Sequence, residues 1–144
     1  MHKVNFPLDE RLLPKIADQA LLARGFERWG EVADGLDDTG LATFMRAIPG
    51  DLMAERLLSA VFGNSPFLTQ CCLFDPAFLR RLLTEGPDAT FPTVLADLRA
   101  EVEGQTDMAQ LMKSLRMANR RVPLLTGLAD IAGAWPLENL TGAL

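Results

Sequence analysis

The chain has 144 residues, 49% of them hydrophobic, enough apolar side chain for one buried core and too much for general disorder. A net charge of −5 and a pI near 4.8 argue against a general nucleic-acid binder. No apolar run approaches the ~18 residues of a membrane span, and the start MHKVNFPLDER lacks the apolar stretch of a signal peptide. A single cytoplasmic domain over 1–144 is therefore expected, bound to neither nucleic acid nor membrane.

The expected fold class is all-α, an irregular bundle of six or seven helices. There is no Tyr, and no sustained alternation of β-branched residues marks a strand. Helical spacing recurs instead. The first helix is predicted over 14–33, with Pro14 in its first turn and Ile16, Leu22, Phe26, Trp29, Val32 and Ala33 inward. Gly25 weakens its middle and Gly35 can end it. A short helix over 39–48 carries Leu41, Phe44, Met45 and Ile48, and Pro49-Gly50 stops it. The next, 51–62, turns Leu52, Met53, Leu57, Leu58, Val61 and Phe62 inward.

Ser65-Pro66 and Asp75-Pro76 each put a capping side chain before a proline at the first helical position. They open helices over 66–74 and 76–85. The second buries Phe78, Leu79, Leu82 and Leu83 and turns Arg80 and Arg81 outward. Gly86-Pro87-Asp88 reads as a turn. Pro92 then opens a helix over 92–102 with Val94, Leu95, Leu98 and Val102 on one face.

The longest element spans 106–134. Its stripe Met108, Leu111, Leu115, Ala118, Val122, Leu125 and Ala129 packs lengthwise on other helices. Pro123 predicts a kink near 119–123. The closing WPLENLTGAL begins another amphipathic pattern, with Leu137, Leu140, Thr141 and Leu144 on one face. It lacks an end signal, so the chain reads as the N-terminal fragment of a longer multidomain protein. The apolar faces of 106–144 are then expected to be partly uncovered and open to self-association.

Chemistry-bearing motifs are absent. No Gly-x-x-x-x-Gly-Lys-Ser/Thr, Gly-x-Gly-x-x-Gly, His-Glu-x-x-His, Gly-x-Ser-x-Gly or Asp-x-Asp occurs. His2 is the only histidine, and Cys71 and Cys72 are adjacent within an apolar run. That set supplies neither a zinc site nor a Cys–His pair, and the cysteines read as buried, reduced thiols. Asp37-Asp38 reads as a solvated acidic turn. Trp29 and Trp135 read as core or interface anchors. Lys113, Arg116, Arg120 and Arg121 form the one basic cluster, with 113, 116 and 120 on a common face opposite the stripe. It is either a site for an acidic partner or a nucleotide phosphate, or a solvated helix face. No residue is assigned a catalytic, cofactor-binding or metal-binding role.

Two stretches carry a resemblance: GNSPFLTQCCLFDPAFLRRLL (63–83) and LRMANRRVPLLTGLADIAGAWPLENLTGAL (115–144). Ser65, Pro66, Phe67 and Leu68, then Pro76 and Leu79, match a Ser-Pro-Phe-Leu-like helix start and a Leu-rich helix opened by Pro. Arg116, Arg120 and Arg121, then Ala129, Asp130, Ile131 and Gly133, match a basic stretch and an Ala-Asp-Leu/Ile-x-Gly turn. In this order they resemble the region before the first nucleotidyltransferase domain of bifunctional bacterial glutamine synthetase adenylyltransferase. The likeness covers 63–144 well and 14–62 loosely. Met117 and Ala118 depart from it, standing where members often carry Arg or Lys.

The resemblance implies a parent that adds AMP to glutamine synthetase and removes it by phosphorolysis, using ATP and Mg2+ under the control of PII proteins and glutamine. It implies that this segment is a helical scaffold or docking surface, with the parent's catalytic residues elsewhere. The alternative is a stand-alone helical adaptor without catalytic activity.

Overall fold

The computed structural model describes residues 11, 13–104 and 107–133. Trp135, Leu137, Leu140, Thr141, Leu144 and His2 lie outside the described residues. Seven α-helices follow one another, with no strand among the described residues: α1 Gln19–Gly35, α2 Thr39–Ala47, α3 Leu52–Phe62, α4 Pro66–Phe74, α5 Pro76–Glu85, α6 Pro87–Gly104 and α7 Met108–Ala132. A 3-10 turn, Ile48–Gly50, joins α2 to α3.

Side-chain capping sets most of the starts. Asp18, Asp38, Asp51, Ser65, Asp75 and Asp107 each accept a bond from a backbone amide in the first turn that has no partner within its helix. The two Ser/Asp-Pro signals thus mark α4 and α5 as read from the sequence.

Two starts differ from expectation. α1 begins at Gln19, not at Pro14, because Asp18 turns its carboxylate onto the Ala20 and Leu21 amides. The preceding residues are held instead by the α3–α4 junction. The Ala17 amide donates to Asn64 Oδ1 and the Asp18 amide to the Gly63 carbonyl. α6 begins at Pro87 rather than Pro92. Gly86 has φ 87°, a left-handed conformation that ends α5 and lets Pro87 take the first helical position at once. The buried Thr90 hydroxyl donates to the Gly86 carbonyl at 2.6 Å, which ties the joint down. Pro92 then sits inside the helix.

The core is one cluster drawing on all seven helices. Phe62 lies at its aromatic centre, edge-on to Phe26 at 5.0 Å and tilted against Trp29 at 6.1 Å. Trp29 is buried, and its indole N–H donates to the Met45 carbonyl at 2.8 Å, joining α1 to α2. Leu57, Leu58 and Val61 of α3 and Phe78, Leu79, Leu82 and Leu83 of α5 meet Leu124, Leu125 and Leu128 of α7 in the same cluster. Both cysteines are buried there as free thiols.

Gly25 is a packing residue rather than a weak point. A Cβ placed on it would lie 2.7 Å from Phe62 Cβ and Cγ, whereas one on Gly30 meets nothing. Gly25→Ala gains up to about 1 kcal/mol of helix propensity, but overpacking costs about 1–3 kcal/mol. We expect a net destabilisation by Gly25→Ala and a slight stabilisation by Gly30→Ala. Paired urea denaturation curves check both.

Several inward assignments fail at the edges. Leu52 and Met53 are exposed because they occupy the first turn of α3, outside the cluster. Leu95 and Val102 on α6, and Met108 and Leu115 on α7, are also exposed. These two helices pair as an antiparallel hairpin, shown by the Ser114 hydroxyl donating to Glu101 and by Val94 lying across from Ala118 and Arg121. The hairpin runs past the core, so among the described residues its outer half has no third element to cover it. α7 is buried only from Leu124 onward and stays helical through Pro123.

Candidate docking surface on the long helix

α4 lies antiparallel to the second half of α7. A Cβ on Gly127 would meet Leu68 Cδ1 at 2.8 Å, and seven residues on, Asp75 meets Arg121. This pairing divides the basic cluster. Arg121 turns inward, and its Nε donates to Asp75 Oδ2 at 2.7 Å. The same carboxylate caps α5 through the Phe78 amide, and the guanidinium also lies 5.3 Å over the Phe78 ring. Asp75 is only 8% exposed and Arg121 29%, so this pair is a structural clamp between α5 and α7.

Arg120, one residue earlier, points the other way. Its guanidinium stacks 3.8 Å above the ring of Phe74, a residue half exposed at the end of α4. Arg116 and Lys113 continue along α7 as exposed residues. Lys113 borders an open groove of about 270 Å3 between α6 and α7, beside Asp97 and Glu101. That groove is laced across by polar pairs: Ser114 with Glu101 on its walls, and Asp97 with Arg81 of α5 at 3.7 Å. An apolar recess of about 350 Å3 lies elsewhere, among Phe26, Trp29, Met45 and Pro49.

The sequence placed Lys113, Arg116 and Arg120 on a common face, and they are there. It did not pair Arg121 with Asp75, because nothing local signals a contact 46 residues apart. Nor did it single out the exposure of Phe67 and Phe74, which carries no local signal within an apolar run. Asp38, read as part of an acidic turn, uses its carboxylate to cap α2 through the Leu41 amide.

Burial pushes the thiol of Cys72 well above its ordinary value of 9.0, and the neighbouring Cys71 adds to the shift. Burial raises Cys71 as well, partly offset by Arg120. Both are therefore protonated and poorly nucleophilic at neutral pH. A thiol held protonated in the folded state keeps its full stabilising effect below the unfolded thiol value. The effect is lost as pH rises above that value, because only the unfolded chain then releases the proton. We expect stability to fall as pH rises past about 9, and Cys72→Ala to flatten that decline. Denaturation midpoints at pH 7, 9 and 10 check this.

Among the described residues, no group of three His, Cys, Asp or Glu is placed to hold a metal ion, and no helix is long and apolar enough to cross a membrane. The fold and its surface define an all-helical bundle whose buried polar groups serve caps and helix clamps. The family model for glutamate-ammonia ligase adenylyltransferase matches residues 55–144, from within α3 through α7 and beyond. The chain belongs to this family. It is 31% identical over 131 residues to the bifunctional glutamine synthetase adenylyltransferase/adenylyl-removing enzyme of Bradyrhizobium diazoefficiens, covering 91% of this chain and 13% of that protein. The namesakes from Rhodopseudomonas palustris strain HaA2 and Caulobacter vibrioides are 35% and 34% identical, over 78% and 60% of this chain and 12% and 9% of theirs. The chain thus spans about an eighth of the length of the first of these relatives. No solved structure matches.

Proposed function

We propose that these residues form a cytoplasmic helical scaffold and docking segment of a glutamine synthetase adenylyltransferase, and that they carry no active site. The observation that supports this most is the match over 55–144. It runs through α4, α5 and α7, which contribute to the core and carry the Asp75–Arg121 clamp and the exposed basic face. In this reading the parent enzyme adds AMP to glutamine synthetase from ATP with Mg2+ and removes it again, answering to PII proteins. The segment's contribution is to hold a partner near those sites, which raises its effective concentration there without new chemistry.

The test is AMP transfer by the purified chain. Incubated with glutamine synthetase, ATP and Mg2+, or with AMP-modified glutamine synthetase and phosphate, it should leave the substrate unchanged. Turnover in either direction would place an active site within these residues and overturn the reading.

A further inference from the structure

A groove of about 170 Å3 lies between α1 and α4, and both charged residues that line it are arginines. Arg24 and Arg28 stand one turn apart on the same face of α1. Like charges at this spacing repel. Among the described residues, neither guanidinium has a carboxylate within ion-pair distance. Glu27 and Glu31 each follow an arginine by three residues, a spacing that permits a pair, yet neither forms one. The opposite wall, α4, carries no charged side chain. The cations therefore face the groove uncompensated, in a chain whose acidic residues outnumber its basic ones 19 to 14.

The groove also holds part of this arrangement in place. Arg28 Nη2 donates to Gln70 Oε1 of α4 at 3.3 Å. That contact uses the carboxamide oxygen and leaves the Gln70 amino group to donate elsewhere. Gly25, between the two arginines, lies so close to Phe62 that a Cβ there would come within 2.7 Å of it. α1 thus rests directly on α3, and the arginines project from a fixed backbone. Leu21, Phe62 and Pro66 give the groove an apolar floor.

We propose that this groove binds a phosphate group, as the free ion or as the end of a small monoester. The chemistry selects a tetrahedral dianion over a carboxylate. One guanidinium fork satisfies both oxygens of a carboxylate, whereas a phosphate offers oxygens to two forks and to the Gln70 amino group at once. Its double charge matches the two cations and replaces their repulsion with charge-assisted hydrogen bonds. The groove is smaller than the roughly 300 Å3 at which pockets for drug-sized ligands begin, so it suits a compact group rather than an extended ligand. The site is independent of the docking reading.

The probes are inorganic phosphate, phenyl phosphate and acetate, each titrated into the full chain at pH 7.5 and at constant ionic strength set with chloride. Backbone amide shifts in NMR spectra locate and quantify binding. Both phosphates should give saturable shifts centred on residues 21–28 and 66–70, and acetate should bind at least about tenfold more weakly. Phenyl phosphate binding at least about fivefold tighter than phosphate assigns the site to an esterified phosphate whose body lies on the apolar floor, and equal affinity assigns it to the free ion. Arg24→Gln with Arg28→Gln should weaken phosphate binding at least about tenfold, and Arg24→Lys about threefold, because an ammonium keeps the charge and loses the fork. Arg99→Gln, exposed on α6, should change nothing. Unchanged helical circular dichroism establishes that the variants fold. Saturating phosphate should raise the urea midpoint of the unaltered chain and leave that of the double glutamine variant in place. Shifts that do not saturate, acetate binding as tightly as phosphate, shifts centred on residues 113–121, or full binding by the double variant would each overturn the proposal.

Discussion

Replacing Arg121 with alanine should cost about 3 kcal/mol, the low end of what is lost when one partner of a buried ion pair is removed. The low end applies because Arg121 keeps 29% of its surface in water, while Asp75 keeps 8%. The substitution leaves a buried carboxylate with only the Phe78 amide as partner. It also removes the cation above the Phe78 ring. Asp75→Ala should cost less, about 2 kcal/mol, of which about 1 is the lost cap, because the arginine it strands can reach solvent. The double variant should therefore be more stable than the sum of the two singles predicts. A double-mutant cycle by urea denaturation measures that coupling. Arg116→Ala, made alongside, should stay within about 0.5 kcal/mol of the parent, as exposed positions do.

Phe62→Ala should be the most damaging single truncation, at about 3–5 kcal/mol. Phe62 is buried, contacts the rings of Phe26 and Trp29, and fills the space that Gly25 leaves open. Gly25 and Phe62 are therefore coupled positions. Adding Gly25→Ala to Phe62→Ala should cost nothing further, because the clash that penalises it alone is gone. Equilibrium unfolding of the three variants checks both the size and the coupling.

The helix order was legible in the sequence because its punctuation is strong. Ser65-Pro66 and Asp75-Pro76 each combine a capping oxygen with a proline that tolerates only the first turn, and both starts fall where those residues put them. Punctuation failed where two signals competed. Pro14 and Asp18 are both valid openers, and Asp18 prevails because the Ala17 and Asp18 amides are held by Asn64 and Gly63, a contact with no local trace. Pro87 prevails over Pro92 because Gly86 can adopt a positive φ and the Thr90 hydroxyl closes the joint.

Periodicity located apolar faces but not their partners. The stripe from Met108 to Ala129 is real, yet only its second half meets the core, since among the described residues α6 alone accompanies the first half. The expectation that part of this face stays uncovered is met at Met108 and Leu115. The basic face was visible as a spacing of 3 and 4. Its division into a buried clamp at Arg121 and an exposed stack at Arg120 was not, because it depends on where α4 ends.

Hydrogen exchange of the chain with and without glutamine synthetase tests the docking account most directly, because it reports every segment at once. The account predicts slowed exchange in α4 and in residues 113–120 of α7 when glutamine synthetase is added, with α1 and α2 unchanged. Protection confined to α1 and α2, or no protection anywhere at saturating glutamine synthetase, would contradict it.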